Sequence, residues 1–279
     1  MKKRTFTALL LAAAMCTTLL AGCGSKTAES SASADASASS GTEKKTFTVG
    51  FDASFPPYGY KDDSGEYVGF DLDLAQEVCK REGWELVKKP IDWDSKDMEL
   101  TSGSIDCIWN GFTINGREDQ YTWSKPYVNN TQVIVVKADA GITDAAGLAG
   151  KTVLVQADSS ALAALQDESK PDNIALAKTF KEVTQVPDYL TAFMSLDSGA
   201  ADAIAMDVGV AEYQISKRNG SYKILDTTLA SEQYGVGFKL GNTALRDTVQ
   251  KDLDAMVADG TFTTIAKRWG LEEAVSLGK

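Results

Sequence analysis

From residue 46 onward the chain alternates short apolar runs of strand character with longer amphipathic runs of helical character, and this alternation constrains the fold more than any other feature. A strand is expected at 46–51. Phe70, Leu74 and Val78 stand four apart, so 70–82 reads as a helix with one apolar stripe. A strand at 84–88, a short helix at 94–101 ended near Gly103, and a strand at 105–109 complete a first set. The second set opens with an apolar strand at 132–137. It continues with a strand at 152–156, a helix at 160–168 and a strand at 174–180. A helix at 187–198 with Pro187 in its first turn, a strand at 201–206 and a helix at 208–218 follow. After a final strand at 233–239, Leu245, Val249, Leu253, Met256 and Val257 recur at helical spacing over 243–258, and Gly260 should stop that helix. Phe262, Ile265 and Trp269 mark one more. No repeat of solenoid period is present. Two α/β sets suggest two lobes with a site between them at strand ends, although spacing alone leaves their arrangement open.

The first 45 residues stand outside this rhythm. Lys2, Lys3 and Arg4 precede an apolar run over 6–20, too short and too close to the terminus for a good spanning helix. The run ends in Leu20-Ala21-Gly22-Cys23, which resembles the bacterial lipobox; the expectation is a signal peptide at 1–22 and a lipidated (palmitate-bearing) Cys23. A plain secretory signal with a chance cysteine is the alternative. Residues 24–45 are mostly Ser, Ala, Thr, Lys, Glu and Asp without apolar periodicity, so 23–45 reads as the lipidated cysteine and a flexible tether.

Loss of residues 1–22 would remove three of the 28 basic residues and none of the 39 acidic ones, leaving 25 against 39 and a net charge of −14. Such a surface repels nucleic acid, and that class of partner is discounted. The chain has no histidine, which excludes Ser-His-Asp and Cys-His catalysis and the usual zinc sites; neither metal nor cofactor is expected. Once Cys16 leaves with the signal and Cys23 carries lipid, Cys79 and Cys107 remain. They fall on apolar positions and read as two buried thiols rather than a disulfide framework, with a single bridge between them as the alternative that an export compartment permits.

Several segments in order resemble one family. Val49-Gly50-Phe51-Asp52-Ala53-Ser54-Phe55-Pro56-Pro57-Tyr58 and Val68-Gly69-Phe70-Asp71-Leu72-Asp73-Leu74-Ala75 resemble the opening of the polar amino-acid family of bacterial extracellular solute-binding proteins. Ser102-Gly103-Ser104-Ile105-Asp106, Asn110-Gly111-Phe112-Thr113-Ile114-Asn115-Gly116-Arg117 and Gly150-Lys151-Thr152-Val153-Leu154-Val155-Gln156 continue the match. It runs on through Ser198-Gly199-Ala200-Ala201-Asp202-Ala203-Ile204-Ala205-Met206-Asp207 and Gln233-Tyr234-Gly235-Val236-Gly237-Phe238, and closes near Arg268-Trp269-Gly270. The resemblance implies an α/β clamshell of the periplasmic-binding-protein type II, with two hinge strands placed near 132–138 and 231–238. Lobe 1 would be 46–133 plus 234–279 and lobe 2 would be 138–230. It also implies an ABC importer's substrate-binding lipoprotein, not an enzyme. Such a protein is expected to be a monomer that presents a polar amino acid to permease subunits, held at the extracytoplasmic face of the cell membrane by its lipid alone.

A free amino acid presents a carboxylate, an ammonium and a side chain, and each charge needs a partner when buried. The resemblance assigns the carboxylate to Arg117, whose planar fork accepts two oxygens; from its neighbours Glu118 and Asp119 alone it reads as a surface residue. Asp207 is assigned to the ammonium, with a helix N-cap as the plainer role. Gly111 and Thr113 would offer backbone and hydroxyl hydrogen bonds. Ser159 and Ser160 would help hold the carboxylate at a helix start, or merely cap it. Phe55 and Trp93 match aromatic walls, with core packing as the alternative. Asp52 and, more weakly, Asn110 match the side-chain-reading wall, with a turn-capping role as the alternative for Asp52. Asp158 stands where the family has Gly and adds a negative charge beside the site. The acidic residues lean toward a cationic or amide side chain, leaving glutamine, arginine, lysine, histidine and cystine open. An exported dehydratase on the same fold and a ligand-sensing surface protein are the rival functions.

Overall fold

The computed structural model describes residues 45–279. The expected signal segment 1–22, Cys23 and the tether up to residue 44 lie outside the described residues. β1 (Thr46–Phe51) leads into a small antiparallel sheet of β2 (Ser54–Phe55), β3 (Gly59–Lys61) and β4 (Tyr67–Val68). Helix α1 (Phe70–Glu82) carries Asp71 and Asp73 in its first turn and Lys80 and Arg81 in its last, the charge order its dipole favours. Gly83, at φ 71°, ends it in the left-handed conformation. β5 (Glu85–Pro90), a 3₁₀ turn at Trp93–Ser95, α2 (Lys96–Ser102), β6 (Cys107–Ile108) and β7 (Thr122–Trp123) follow.

The chain then crosses on β8 (Val128–Lys137) into a second set. This comprises β9 (Thr152–Gln156), α3 (Ser160–Gln166), α4 (Pro171–Ala177), β10 (Glu182–Val186), α5 (Tyr189–Ser198), β11 (Ala203–Asp207) and α6 (Val208–Lys217). It returns on β12 (Tyr222–Tyr234) to β13 (Gly237–Phe238), α7 (Thr243–Asp259) and α8 (Thr261–Trp269). The first sheet has the order β5-β1-β6-β13-β7 and the second β10-β9-β11-β8-β12. Their parallel strands (β1, β5 and β6; β9, β10 and β11) come from strand-helix-strand units. β13, β8 and β12 run antiparallel to their neighbours.

Strand alternation divides the second sheet cleanly. Ile134, Val136, Val153, Val155, Ala203 and Ala205 face one core with Ala161 and Leu165 of α3, whereas Leu154, Ile204 and Met206 face Tyr189, Phe193 and Val210 of α5 and α6. Each buried Val, Leu, Ile or Met among them contributes on the order of 2 kcal/mol. The lobes are joined by the paired ends of β8 and β12, where Val128 faces Tyr234, Asn130 faces Glu232 and Gln132 faces Ala230. The architecture is the two-lobed clamshell with two hinge strands.

Three local expectations are corrected. Residues 174–180 contain no strand: α4 occupies Pro171–Ala177, opened by Pro171 at its first turn, and the strand comes later, at β10. The Ile174-Ala175-Leu176-Ala177 alternation mimics a strand, but Leu176 and Ala177 together pack on the second core. Pro187 precedes α5 instead of opening it; Asp188 is the N-cap, accepting from Thr191 N–H at 2.7 Å. The last crossing strand is β12, long and interrupted by register shifts between Ile224 and Ala230, which erase the period-2 pattern. Cys79 and Cys107 are both free and buried, matching the two-thiol reading. Among the described residues no helix is long and apolar enough to cross a membrane.

Candidate ligand-binding site

The carboxyl ends of the parallel strands in both sheets meet across the hinge. Asp52 follows β1, Gly111 and Thr113 follow β6, Gln156 ends β9 and Asp207 ends β11. Phe55, Trp93, Gly111, Thr113 and Arg117 on one lobe face Gln156, Ser159, Ser160 and Asp207 on the other around a single cavity. The lobes are drawn together so far that about 10 Å³ remains, room for one water. Anything larger requires them to part about the crossing strands.

Arg117 is half-buried. Its Nη1 donates to Ser160 Oγ at 3.2 Å and, at 3.4 Å, to the Thr113 carbonyl; Nη2 donates to the Asp158 carbonyl at 3.2 Å. All three acceptors are neutral, and the guanidinium forms no ion pair among the described residues. Ser159 is the N-cap of α3, its Oγ accepting from Leu162 N–H at 3.2 Å, which is the capping role, and both serines line the cavity. Gly111 sits at φ 57°, and a Cβ there would lie 2.7 Å from the Phe55 ring and 3.0 Å from that of Tyr234. Its N–H donates to Asp71 Oδ2 at 2.7 Å, an acceptor that Tyr127 OH shares at 2.8 Å. Burial pushes the Asp71 carboxyl up to about 7.

Asp207 makes no side-chain hydrogen bond to the helix it precedes. Its Oδ1 accepts from Tyr234 OH at 2.6 Å, Gln132 Nε2 at 2.6 Å and Asn130 Nδ2 at 2.8 Å, and its Oδ2 from Tyr189 OH at 2.9 Å. All these donors are neutral. Burial raises its pKa against the opposing effect of the four bonds.

Asp52 and Asn110 do not line this cavity. Asp52 faces an adjoining cleft of about 350 Å³ that it shares with Asp92, Trp93, Glu99 and Asp188. Its Oδ1 caps a turn through Ser54 N–H at 2.7 Å, and its Oδ2 accepts across the lobes from Gln156 Nε2 at 2.7 Å. Burial lifts its carboxyl to about 6. Asn110 is buried and supports Asp52, its Oδ1 accepting from Asp52 N–H at 3.0 Å. Phe55 lies tilted against Tyr189 of the other lobe, ring centres 5.8 Å apart, and Trp93 meets Phe112 edge-on. Asp158, at φ 53°, pairs across the cleft with Lys96, whose side chain is 1% exposed.

Sequence reading missed Gln156, Asn130, Gln132, Tyr189 and Tyr234. A signal for two of them was present: Asn129-Asn130-Thr131-Gln132 is a polar run leading into the apolar Val133-Ile134-Val135-Val136 of one strand, where only a packed polar core or a surface can hold it.

The family model described as "Bacterial extracellular solute-binding proteins, family 3" matches residues 47–272. The chain is 30% identical over 230 residues to the L-cystine-binding protein TcyJ of Escherichia coli (strain K12), covering 81% of this chain and 83% of that protein. It is 29% identical over 265 residues to the ABC transporter glutamine-binding protein GlnH of Bacillus subtilis (strain 168), covering 91% and 93%. Among solved structures, an ABC uptake transporter substrate-binding protein from Streptococcus pneumoniae with bound histidine superposes with a TM-score of 0.78 at 33% identity, over 83% of this chain and 94% of that one.

Proposed function

Since this chain belongs to the bacterial extracellular solute-binding proteins, family 3, we propose that it captures a polar amino acid between its two lobes and delivers it to an ABC importer. One observation carries the reading. An arginine without a carboxylate partner and a buried aspartate without a cationic one line the same cavity from opposite lobes. A zwitterion supplies both missing partners, and a ligand that bridges the lobes favours their closure. In this reading Arg117 holds the α-carboxylate with Ser159 and Ser160, and Asp207 holds the α-ammonium. Gly111 and Thr113 complete the backbone and hydroxyl contacts, and Phe55 and Trp93 flank the ligand. Asp52, supported by Asn110 and held to Gln156, reads the side chain in the adjoining acidic cleft. Lobe 1 comprises 46–133 plus 234–279 and lobe 2 comprises 138–230. The similar proteins are named for cystine and glutamine or hold histidine, which supports transport over a dehydratase on the same fold.

The same reading makes the protein a monomeric lipoprotein tethered through Cys23 to the extracytoplasmic face of the cell membrane, on the strength of the Leu20-Ala21-Gly22-Cys23 run. Cys23→Ala should abolish incorporation of labelled fatty acid; continued incorporation would refute the anchor. The function is tested by a thermal-shift panel of the twenty amino acids and cystine. A ligand at 100 times its Kd adds about 2.7 kcal/mol, so a binder raises Tm clearly, and a flat panel would refute the reading.

A further inference from the structure

Glu232 lies on β12 where that strand crosses between the lobes, and its side chain is 6% exposed. Its Oε1 accepts from Asn130 Nδ2 at 2.7 Å, Gln132 Nε2 at 2.8 Å and Thr113 Oγ1 at 2.8 Å. The same two amide groups donate to Asp207 Oδ1. Two buried carboxylates therefore share one pair of amides at the hinge, with Thr113 of one lobe at one end and Asp207 of the other lobe at the other. The amide oxygens, Asn130 Oδ1 and Gln132 Oε1, are buried and have no partner. The cluster contains two carboxylates, two unpartnered oxygens and no cation, an arrangement suited to receiving a positively charged group.

The charged and titratable groups around it do not supply one. Tyr189 and Tyr234 donate to Asp207, and Tyr58 packs edge-on against Tyr234 at 5.3 Å between ring centres. Asp52, Asp71 and Glu212, acting at longer range on these tyrosines, are all acidic. On its open side Glu232 borders a cleft with Arg117 and Lys170, together with Glu118, Asp158 and Asp167. Arg117 is committed to Ser160 and to backbone carbonyls, and Lys170 to Asp167 at 3.8 Å. Burial raises the pKa of both Asp207 and Glu232, and the charge of Asp207 raises that of Glu232 further.

We propose that Glu232 is a positioning residue of the ammonium site: acting through Asn130 and Gln132, it makes the Asp207–Glu232 pair hold one proton in the unliganded protein and release it when a ligand's ammonium arrives. The inference rests on the amino-acid reading above. In the exchange one carboxyl O–H bond breaks, its proton passes to the buffer, and the freed carboxylate accepts from the ammonium N–H; no electrons are transferred.

The test is calorimetric titration of the mature protein with L-glutamine, L-arginine and L-cystine at pH 6 and 7, in buffers of small and large ionisation enthalpy. For a ligand that binds, the apparent enthalpy should differ between buffers by close to one proton released per ligand at pH 6. Affinity there should rise up to tenfold per pH unit. Glu232→Gln should cut the released proton to less than half, and Glu232→Asp, which keeps the second carboxylate, should restore it. Equal enthalpies in both buffers, or undiminished release in Glu232→Gln, would overturn the proposal while leaving amino-acid binding intact. If Glu232→Gln does not fold, the wild-type buffer dependence and Glu232→Asp decide: no release from the wild type, or none from Glu232→Asp, overturns it. Failure of all three amino acids to bind would overturn the amino-acid reading and this inference with it.

Discussion

Replacing Arg117 by alanine removes the one guanidinium at the cavity, and the structure sets the scale of the loss. Within the protein Arg117 donates only to neutral acceptors, two at 3.2 Å and one at 3.4 Å, so the fold itself depends little on its charge. A bound carboxylate depends on it far more, because Ser159 and Ser160 offer dipoles but no full positive charge. Removing one partner of a desolvated charge pair costs about 2 to 5 kcal/mol. Arg117 is half-buried, which places the expectation in the lower part of that range, about 2 to 4 kcal/mol. On a scale of 1.4 kcal/mol per tenfold this is roughly 30- to 700-fold in Kd. Every amino acid shares the α-carboxylate, so the loss should be similar for all ligands. Arg117→Lys keeps the charge but loses the two-pronged geometry and should fall between wild type and alanine. Asp52→Asn, by contrast, should reorder the ligands, since its carboxylate faces the adjoining cleft. Titration calorimetry of the three variants against several amino acids separates these claims. If Arg117→Ala binds its best ligand within about twofold of wild type, about 0.4 kcal/mol, the carboxylate-clamp reasoning is wrong.

Asp207→Asn should weaken binding by about 2 to 5 kcal/mol in calorimetry while the ligand-free Tm moves little, because the lost charge was itself buried without a cation. Unchanged affinity would remove it from the ammonium site. Gly111→Ala places a methyl 2.7 Å from Phe55 at a left-handed backbone; it should lower stability by roughly 1 to 3 kcal/mol in urea melts and binding at least about tenfold, and a neutral outcome would contradict the close packing of this turn. Burial lifts Asp52 to about 6 and Asp71 to about 7, so the folded state holds protons that the unfolded chain has released. The stability these protons contribute is complete below about pH 4 and is lost as pH rises through 6 and then 7, on the order of 3 kcal/mol for Asp52 alone. The Tm of the ligand-free protein should therefore fall between pH 5 and pH 8, and a rise over that window would refute it.

Elements whose apolar period is undisturbed were legible in the sequence with their boundaries: 46–51, 70–82 and 152–156 coincide with β1, α1 and β9. Such segments bury one face or lie wholly inside, and composition alone reports that. The pattern misled at 174–180, where a helix face of Ile, Leu and Ala imitates strand alternation, and at β12, where register shifts break it. The cavity's Arg117, Thr113, Ser160 and Asp207 were found through motif resemblance, since neighbouring residues alone made Arg117 a surface side chain. The polar run at Asn130 and Gln132 marks them as unusual in a strand, but their tie to Glu232 arises only when β8 and β12 pair across about a hundred residues of chain, setting two amides between two carboxylates. Asp52 and Asn110 illustrate the reverse limit: resemblance named them, but their first task in the fold is to hold each other and a turn.

The central claim is that opposite lobes read opposite ends of one zwitterion. The direct measurement is competition calorimetry of the wild-type protein between its best-binding amino acid, the α-amide of that amino acid and its N-acetyl derivative. The α-amide lacks the carboxylate assigned to Arg117, and the N-acetyl derivative lacks the ammonium assigned to Asp207. Each derivative should bind at least about 30-fold more weakly than the parent, corresponding to about 2 kcal/mol or more for each unmatched buried charge. Binding of either derivative within about twofold of the parent would contradict it.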